Sequence, residues 1–312
     1  MPKMMNSNPK IIFMGTPEFA VASLHALVEN GFSVVAIVTA PDKPAGRGLK
    51  LSESSVKQYA KKKNIPVLQP VKLKDPVFHE ELKSFQADVQ VVVAFRMLPE
   101  IVWAMPPFGT INLHGSILPQ YRGAAPINRA IMNGETKTGV TTFKLQQEID
   151  TGNILLMEEI SIRPNETAGE LHDRMKEIGA ALVVKTIRGL MDETLKEKPQ
   201  GIVDPSILKM APKIFTTDCE ITWSDSVIKI YNQIRGLSPF PGAFTSFKGK
   251  NCKVFRARSE KNKLLLKAGE METDGKNWLR YSASDGYIYV EEMQLEGKKR
   301  MGVADFLRGY RA

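Results

Sequence analysis

Short, wholly apolar runs recur along this chain at intervals too long for hairpins, and that alternation limits the fold more than any other feature. Residues 11–14 (Ile-Ile-Phe-Met) and 34–38 read as strands, and residues 17–30 between them read as a helix closed by Gly31. A strand that is apolar at every position is buried on both faces, as in a parallel sheet sandwiched between helices. The alternation continues through a helix at 52–64, a strand at 67–68, a helix at 76–85 and a strand at 88–95. A short strand then enters residues 112–114, followed by a helix at 125–132, strands at 139–145 and 153–159, and a long helix at 168–196. Residues 41–51, rich in Gly and Pro, read as a loop. The expected fold class is therefore α/β, with a doubly wound, mainly parallel sheet. In such sheets ligands sit beyond the carboxyl ends of the strands, where Gly15, Phe95 and His114 all fall.

The last hundred residues change character. One turn and a helix over 218–235 are broken by Ser238-Pro239-Phe240-Pro241-Gly242, and short strands are then expected at 243–247, 253–259, 264–266, 278–282 and 287–293. Asp274-Gly275 and Asp285-Gly286 supply turn signals, and residues 304–311 read as a closing helix. This spacing fits a small β-barrel of the oligonucleotide-binding type. The expected division is a first domain over 1–197, a linker over 198–212 and the barrel over 213–312.

Charge separates the two parts further. The chain carries a net charge of +9, and from Ala211 onward 18 Lys and Arg face 12 Asp and Glu, against 25 and 22 in the first 210 residues. A basic excess of this kind marks affinity for a polyanion, nucleic acid first among them. No apolar run approaches the roughly 20 residues that cross a bilayer. The first ten residues have no apolar core of a secretory signal, so a cytoplasmic protein is expected. Cys219 and Cys252, with few histidines to help them, do not make a zinc site and are expected to be free thiols; no metal is anticipated.

Chemistry concentrates in residues 112–126, Asn-Leu-His-Gly-Ser-Ile-Leu-Pro-Gln-Tyr-Arg-Gly-Ala-Ala-Pro. On a strand, positions i and i+2 share a face, so Asn112 and His114 project together. A carboxamide beside a titratable ring can hold a developing oxyanion while a proton moves, a pairing suited to acyl transfer. His25, His79 and His172 sit in helical contexts with plainer explanations, whereas His114 leads into a Gly/Pro-rich loop. Asp150, in Asp150-Thr151-Gly152, reads in isolation as a turn residue. Near His114 it would supply the carboxylate that orients the ring and accepts a proton from an attacking amine. A dehydrogenase is disfavoured because Gly15 lacks the Gly-x-Gly-x-x-Gly spacing.

The chain resembles the methionyl-tRNA formyltransferases, within the wider group of 10-formyltetrahydrofolate-dependent formyltransferases. The resembling segments are Phe13-Met14-Gly15-Thr16-Pro17-Glu18-Phe19-Ala20, Pro41-Asp42-Lys43-Pro44-Ala45-Gly46-Arg47-Gly48, Asn112 through Pro126, and Asp150-Thr151-Gly152-Asn153. The resemblance implies 10-formyltetrahydrofolate as formyl donor and initiator methionyl-tRNA as acceptor. It further implies Asn112, His114 and Asp150 as catalytic residues. Ser116, Ile117, Leu118 and Pro119 match the folate-contacting segment, with Ile117 where Leu is usual. The pterin would lie against Phe95, Arg96, Met97 and Leu98, in place of the Tyr-Gly pair often found at the first two positions. The segment around Arg47 and Lys43 is similar to the one this family inserts at the acceptor end of tRNA, and the family resemblance implies a monomer. Lys209, Lys213, Lys248, Lys250 and Lys253 are candidate tRNA contacts by position and sign. A formyltransferase acting on an amino sugar nucleotide shares the Asn-x-His pair and is the alternative, without the Arg47 segment or the basic C-terminal third.

Overall fold

The computed structural model describes residues 8–45, 50–201, 204, 206–262 and 266–309. Arg47 and most of the strand expected at 264–266 lie outside the described residues. The chain falls into two compact units. The first comprises Met1–Arg122, Gly139–Ile160 and Asp173–Met210; the second comprises Gly123–Thr138, Ser161–His172 and Ala211–Ala312.

The elements, in chain order, are β1 (Lys10–Gly15), α1 (Glu18–Glu29), β2 (Ser33–Val38), β3 (Lys43–Ala45), β4 (Lys50–Ser52), α2 (Ser55–Lys62), β5 (Val67–Leu68), α3 (Pro76–Ser84), β6 (Val89–Val93), α4 (Glu100–Trp103), β7 (Thr110–His114), β8 (Arg122–Gly123), α5 (Pro126–Met132), β9 (Lys137–Lys144), β10 (Ile154–Ser161) and α6 (Ala168–Met191). After these come β11 (Met210–Ala211), α7 (Val227–Leu237), β12 (Ala243–Phe247), β13 (Lys250–Lys261), β14 (Met271–Thr273), β15 (Leu279–Ser282), β16 (Gly286–Leu295), β17 (Met301–Gly302) and α8 (Val303–Gly309).

In the first unit a seven-stranded sheet runs in the order β10-β9-β7-β6-β1-β2-β5. Strands β7, β6, β1, β2 and β5 are parallel, and β9 joins β7 antiparallel. The mainly parallel, doubly wound reading holds, because continuous apolar runs such as Ile11–Met14 and Val91–Val93 are buried throughout. The chain winds outward from β1 to β5, then returns to the far side of β1, so the order reverses between β1 and β6. The register aligns Gly15 with Val93 and Val93 with Leu113, bringing three carboxyl strand ends to one edge.

Local details depart from expectation for identifiable reasons. Residues 43–45 and 50–52 pair as an antiparallel ribbon instead of a plain loop. The following helix starts late, because Ser54 is its N-cap and accepts from the Lys57 amide at 3.1 Å. Helix α6 stops at Met191, short of the expected residue 196: Glu193 adopts φ +54°, and the amides of Thr194 and Leu195 return to the Gly189 carbonyl at 2.9 and 3.1 Å. Gly189 leaves the room, since a Cβ there would stand 2.5 Å from the Leu195 side chain.

The second unit contains a curled antiparallel sheet, β12-β13-β16-β15-β14 with β17 on β16, which forms half of a barrel. Its buried face meets α7 and α8 around Ile230, Ile234, Val254, Leu279, Ile288 and Phe306. Expected strands 253–259 and 287–293 are longer than anticipated, and β14 and β17 were not anticipated. Both are too short and too mixed in polarity to carry a period-2 signal. Cys219 and Cys252 are free and buried, and burial pushes the Cys252 thiol up to about 12. Helix α5 crosses α7 closely: Asn128 donates from its amide to the Gly236 carbonyl at 2.7 Å, and a Cβ on Gly236 would meet Met132 at 2.5 Å.

One glycine controls the turn between β9 and β10. A Cβ on Gly152 would come within 1.7 Å of the Lys144 carbonyl oxygen, a backbone atom that cannot swing away. Gly152→Ala is expected to destabilise the protein by about 1–3 kcal/mol or more, as overpacking does. The shift of the urea midpoint measures it, and an unchanged midpoint would contradict the close approach.

Candidate active site

Strand β7 positions the central pair. Thr110, Ile111 and Leu113 are buried in the sheet, with Ile111 wholly enclosed, while Asn112 is half-buried and His114 is 6% exposed. Being two apart, Asn112 and His114 project from one face. His114 Nε2 donates to the Tyr121 carbonyl at 2.8 Å, because a carbonyl can only accept. The Nδ1 atom is thereby left facing Asp150, whose Oδ2 lies 3.7 Å away, with both side chains largely enclosed. Sequence reasoning joined these two residues across 36 positions, and the fold brings them together. Both ring nitrogens therefore face oxygen acceptors, so a proton arriving at Nδ1 is received between imidazole and carboxylate.

Asp150 and Tyr121 both adopt left-handed backbone, φ +54° and +61°. Non-glycine residues enter that region at a cost that surrounding structure must over-determine. At Asp150 the restraint comes from Gln200, which the sequence placed in a linker. Its amide donates to the carbonyls of Asp150 and Gly152 at 2.8 and 2.9 Å. Arg122 in turn donates to the Gln200 side-chain oxygen at 2.6 and 3.2 Å. Glu197 ties the same loop from another direction, pairing with Lys144 at 2.5 Å and accepting from Asn153 at 3.0 Å. Burial alone would raise the Glu197 carboxyl, but these donors hold it below its ordinary value. A Gln fifty residues away has no periodic signal that could have announced this role.

The segment after His114 is held from within. Ser116 is fully buried and its hydroxyl donates to the Gln120 carbonyl at 2.6 Å, while Thr141 donates to the Ser116 carbonyl at 2.7 Å. Leu118 packs with Phe143 and Ile154, Pro119 is half-buried, and Ile117 fits against Gly139, whose Cβ would collide with it. At the end of β6, Leu98 is buried in the core and Phe95 packs against that core, while Met97 is 71% exposed. Arg96 stacks over Phe95 with 5.6 Å to the ring centroid and donates to the carbonyls of Val71, at 2.9 Å, and Pro70. Burial lowers its pKa.

The basic candidates are dispersed. Lys43 is exposed on β3, next to a clamp formed by Asp42, which accepts from Lys57 at 2.5 Å and from Gln69 at 2.8 Å. The Lys57 hydrogen bond holds the Asp42 carboxyl below the usual carboxylate range. Lys209 offers its backbone to Gln120 and Tyr121, Lys213 lies 5.7 Å from the Phe215 ring centroid, and Lys248 and Lys250 flank the exposed β12–β13 turn. The Lys253 ammonium donates to the Pro241 carbonyl at 2.8 Å. Sequence reasoning missed a ladder on the second unit's sheet, where Arg258 lies 3.6 Å from the Tyr289 ring centroid and Arg280 lies 3.9 Å from that of Tyr287. Alternate positions on paired strands were the available signal. Among the described residues no group of three or more His, Cys, Asp or Glu is arranged to hold a metal ion, and no helix is long and apolar enough to cross a membrane.

Known proteins match this chain over both units. Residues 9–187 match the formyl transferase family model, and residues 213–311 match that of the formyl transferase C-terminal domain. The methionyl-tRNA formyltransferase of Parabacteroides distasonis is 48% identical over 99% of this chain and 98% of its own. That of Azobacteroides pseudotrichonymphae is 49% identical over 98% and 97%, and that of Flavobacterium johnsoniae 47% over 96% of each. Among solved structures, the sugar 3N-formyl transferase WlaRD superposes with TM-score 0.68 at 20% identity, over 94% of this chain and all of its own. An N-formyltransferase from Helicobacter canadensis superposes with TM-score 0.67, also at 20% identity and with the same coverage. The sugar enzymes share the fold, whereas the sequence identity runs to one branch: the chain belongs to the methionyl-tRNA formyltransferase family.

Proposed function

We propose that this protein transfers the formyl group of 10-formyltetrahydrofolate to the α-amino group of methionine on initiator methionyl-tRNA, for the initiation of protein synthesis. The observation that carries this reading is that Asn112 and His114 share one face at the carboxyl end of β7 with Asp150 3.7 Å from the His114 ring, in a chain nearly half identical to methionyl-tRNA formyltransferases. The neutral amine forms a bond to the formyl carbon, and negative charge develops on the formyl oxygen. Asn112 donates its carboxamide N–H to that oxygen, the role of an oxyanion-hole donor. The proton lost by the amine passes to the Nδ1 side of His114, steadied by Asp150. Collapse breaks the bond between the formyl carbon and N10, and N10 takes that proton from His114 as tetrahydrofolate leaves.

Residues 1–197 carry this chemistry, with Ser116 to Pro119 and Phe95 to Leu98 lining the folate side. Residues 213–312 hold tRNA through basic side chains, with Lys213, Lys248 and Lys250 as contacts, joined by Lys209 from the connecting segment at 198–212. Arg47 and Lys43 address the acceptor end, since Arg suits both phosphates and unpaired bases. The protein works as a monomer in the cytoplasm.

Incubation with a labelled formyl donor and either methionyl-tRNA or an amino sugar nucleotide separates the two acceptors, and label on the sugar alone would reverse the reading. Asn112→Ala, His114→Ala and Asp150→Ala are each expected to lower single-turnover transfer roughly a hundredfold to a thousandfold with near-normal folding. Near wild-type turnover in His114→Ala would remove the ring from the mechanism.

Asp42 offers a test of the Arg47 segment. Because its carboxyl is held low by Lys57, the clamp is intact above the ordinary carboxylate range and is lost only as pH falls through the lowered value. Asp42→Ala and Arg47→Ala are each expected to raise KM for methionyl-tRNA about tenfold or more, as loss of a charge-assisted contact does, with folate binding unchanged. Parallel losses for both substrates would indicate a folding defect instead.

A further inference from the structure

The second unit has a half-open cavity of about 330 Å³ for which the formyl-transfer reading has no use. That volume sits at the lower end of the roughly 300–1,000 Å³ of small-molecule sites. Helix α7 contributes Tyr231 and Arg235, strand β13 contributes Phe255 and Ser259, and Thr167 closes another side.

Arg235 sets the chemistry. It lies among the buried residues of α7, beside Ile234 and Leu237, and is 8% exposed. Its Nε donates to the Asn232 side-chain oxygen at 2.9 Å and its Nη1 to the Glu166 carbonyl at 3.3 Å. A guanidinium has five N–H donors, so these bonds leave Nη2 uncommitted. Among the described residues no carboxylate forms an ion pair with Arg235, and burial lowers its pKa against the weaker fields of Tyr231 and Glu166. The other guanidinia at the cavity are engaged: Arg256 pairs with Glu170 at 2.5 Å, and Arg258 with Glu260 at 3.2 Å. Glu291 also borders the cavity but is exposed.

A buried cation that no carboxylate meets in a direct ion pair, and on which Glu166 acts only through its weaker field, is costly, and an oxyanion in the adjoining space offsets that cost. Planar guanidinium donors match phosphate oxygens edge to edge. The Ser259 hydroxyl adds a polar contact, and the Tyr231 and Phe255 rings offer a wall for an apolar or ring-bearing substituent. We propose that this cavity is a phosphate site, which takes a phosphomonoester against the Nη2 edge of Arg235. The phosphate could be delivered by bound tRNA or by a free phosphorylated metabolite, and the two sources are separable.

Isothermal titration of the full chain with inorganic phosphate and with adenosine 5′-monophosphate is expected to give saturable one-to-one binding, with none for adenosine or acetate. Arg235→Gln is expected to weaken both phosphates at least tenfold. Since that side chain is buried, Ser259→Asp provides a second variant: it places a carboxylate at an exposed cavity position, removes no buried group, and is expected to weaken phosphate by a similar factor. Circular dichroism melting verifies that each variant folds. Loss of phosphate binding on saturation with methionyl-tRNA would assign the site to a tRNA phosphate, and undiminished binding would assign it to a free metabolite; both uphold the pocket. Absence of saturable binding to the parent protein, or equal binding by a folded Arg235→Gln or Ser259→Asp chain, would overturn it.

Discussion

The hydrogen bond from His114 Nε2 to the Tyr121 carbonyl decides which side of the ring meets Asp150, and the rest of the site is arranged around that choice. With one nitrogen committed to a carbonyl, the other is the ring atom on which the proposed proton transfer relies. Tyr121 offers its carbonyl from the left-handed region, and the Ser116 and Thr141 hydroxyls pin the intervening loop. Strand β7 supplies the remaining precision, since its neighbours β6 and β9 fix it on both sides and leave no freedom for the Asn112 and His114 backbone.

The same logic governs Asp150. A carboxylate on a tight turn is ordinarily mobile, and an acid that drifts by an ångström no longer steadies a neighbouring imidazole. Here the turn is braced at both its carbonyls by Gln200, which is itself held by Arg122, and the close approach of Gly152 to Lys144 fixes the turn's far side. Polar groups with two or more partners each make a network that is rigid because no member can relax alone.

Much of the first unit was legible in the sequence because its signals are local. Apolar runs at 11–14, 34–38 and 88–95 each had enough length to identify buried strands, and Gly31 and Pro76 marked helix ends through their own backbone preferences. The i, i+2 spacing gave the Asn112/His114 face directly. What stayed illegible depends on partners remote in sequence. Gln200 looks like any linker residue until it meets Asp150, and Arg235 looks like a helix-terminal cation until α7 is seen to bury it. The early stop of α6 belongs to the same class, since it is set by Leu195 folding back onto Gly189.

The brace on the Asp150 turn also orders events in time. His114 and Asp150 are both synthesised before α6, yet the amide that fixes their geometry belongs to residue 200, beyond the end of that 24-residue helix. A nascent chain that has just completed α6 thus holds His114 and Asp150 but not the restraint that aligns them. The geometry on which the proposed mechanism draws is in this way tied to synthesis of the connecting segment, and a truncated product ending before Gln200 would carry His114 and Asp150 without the brace that aligns them.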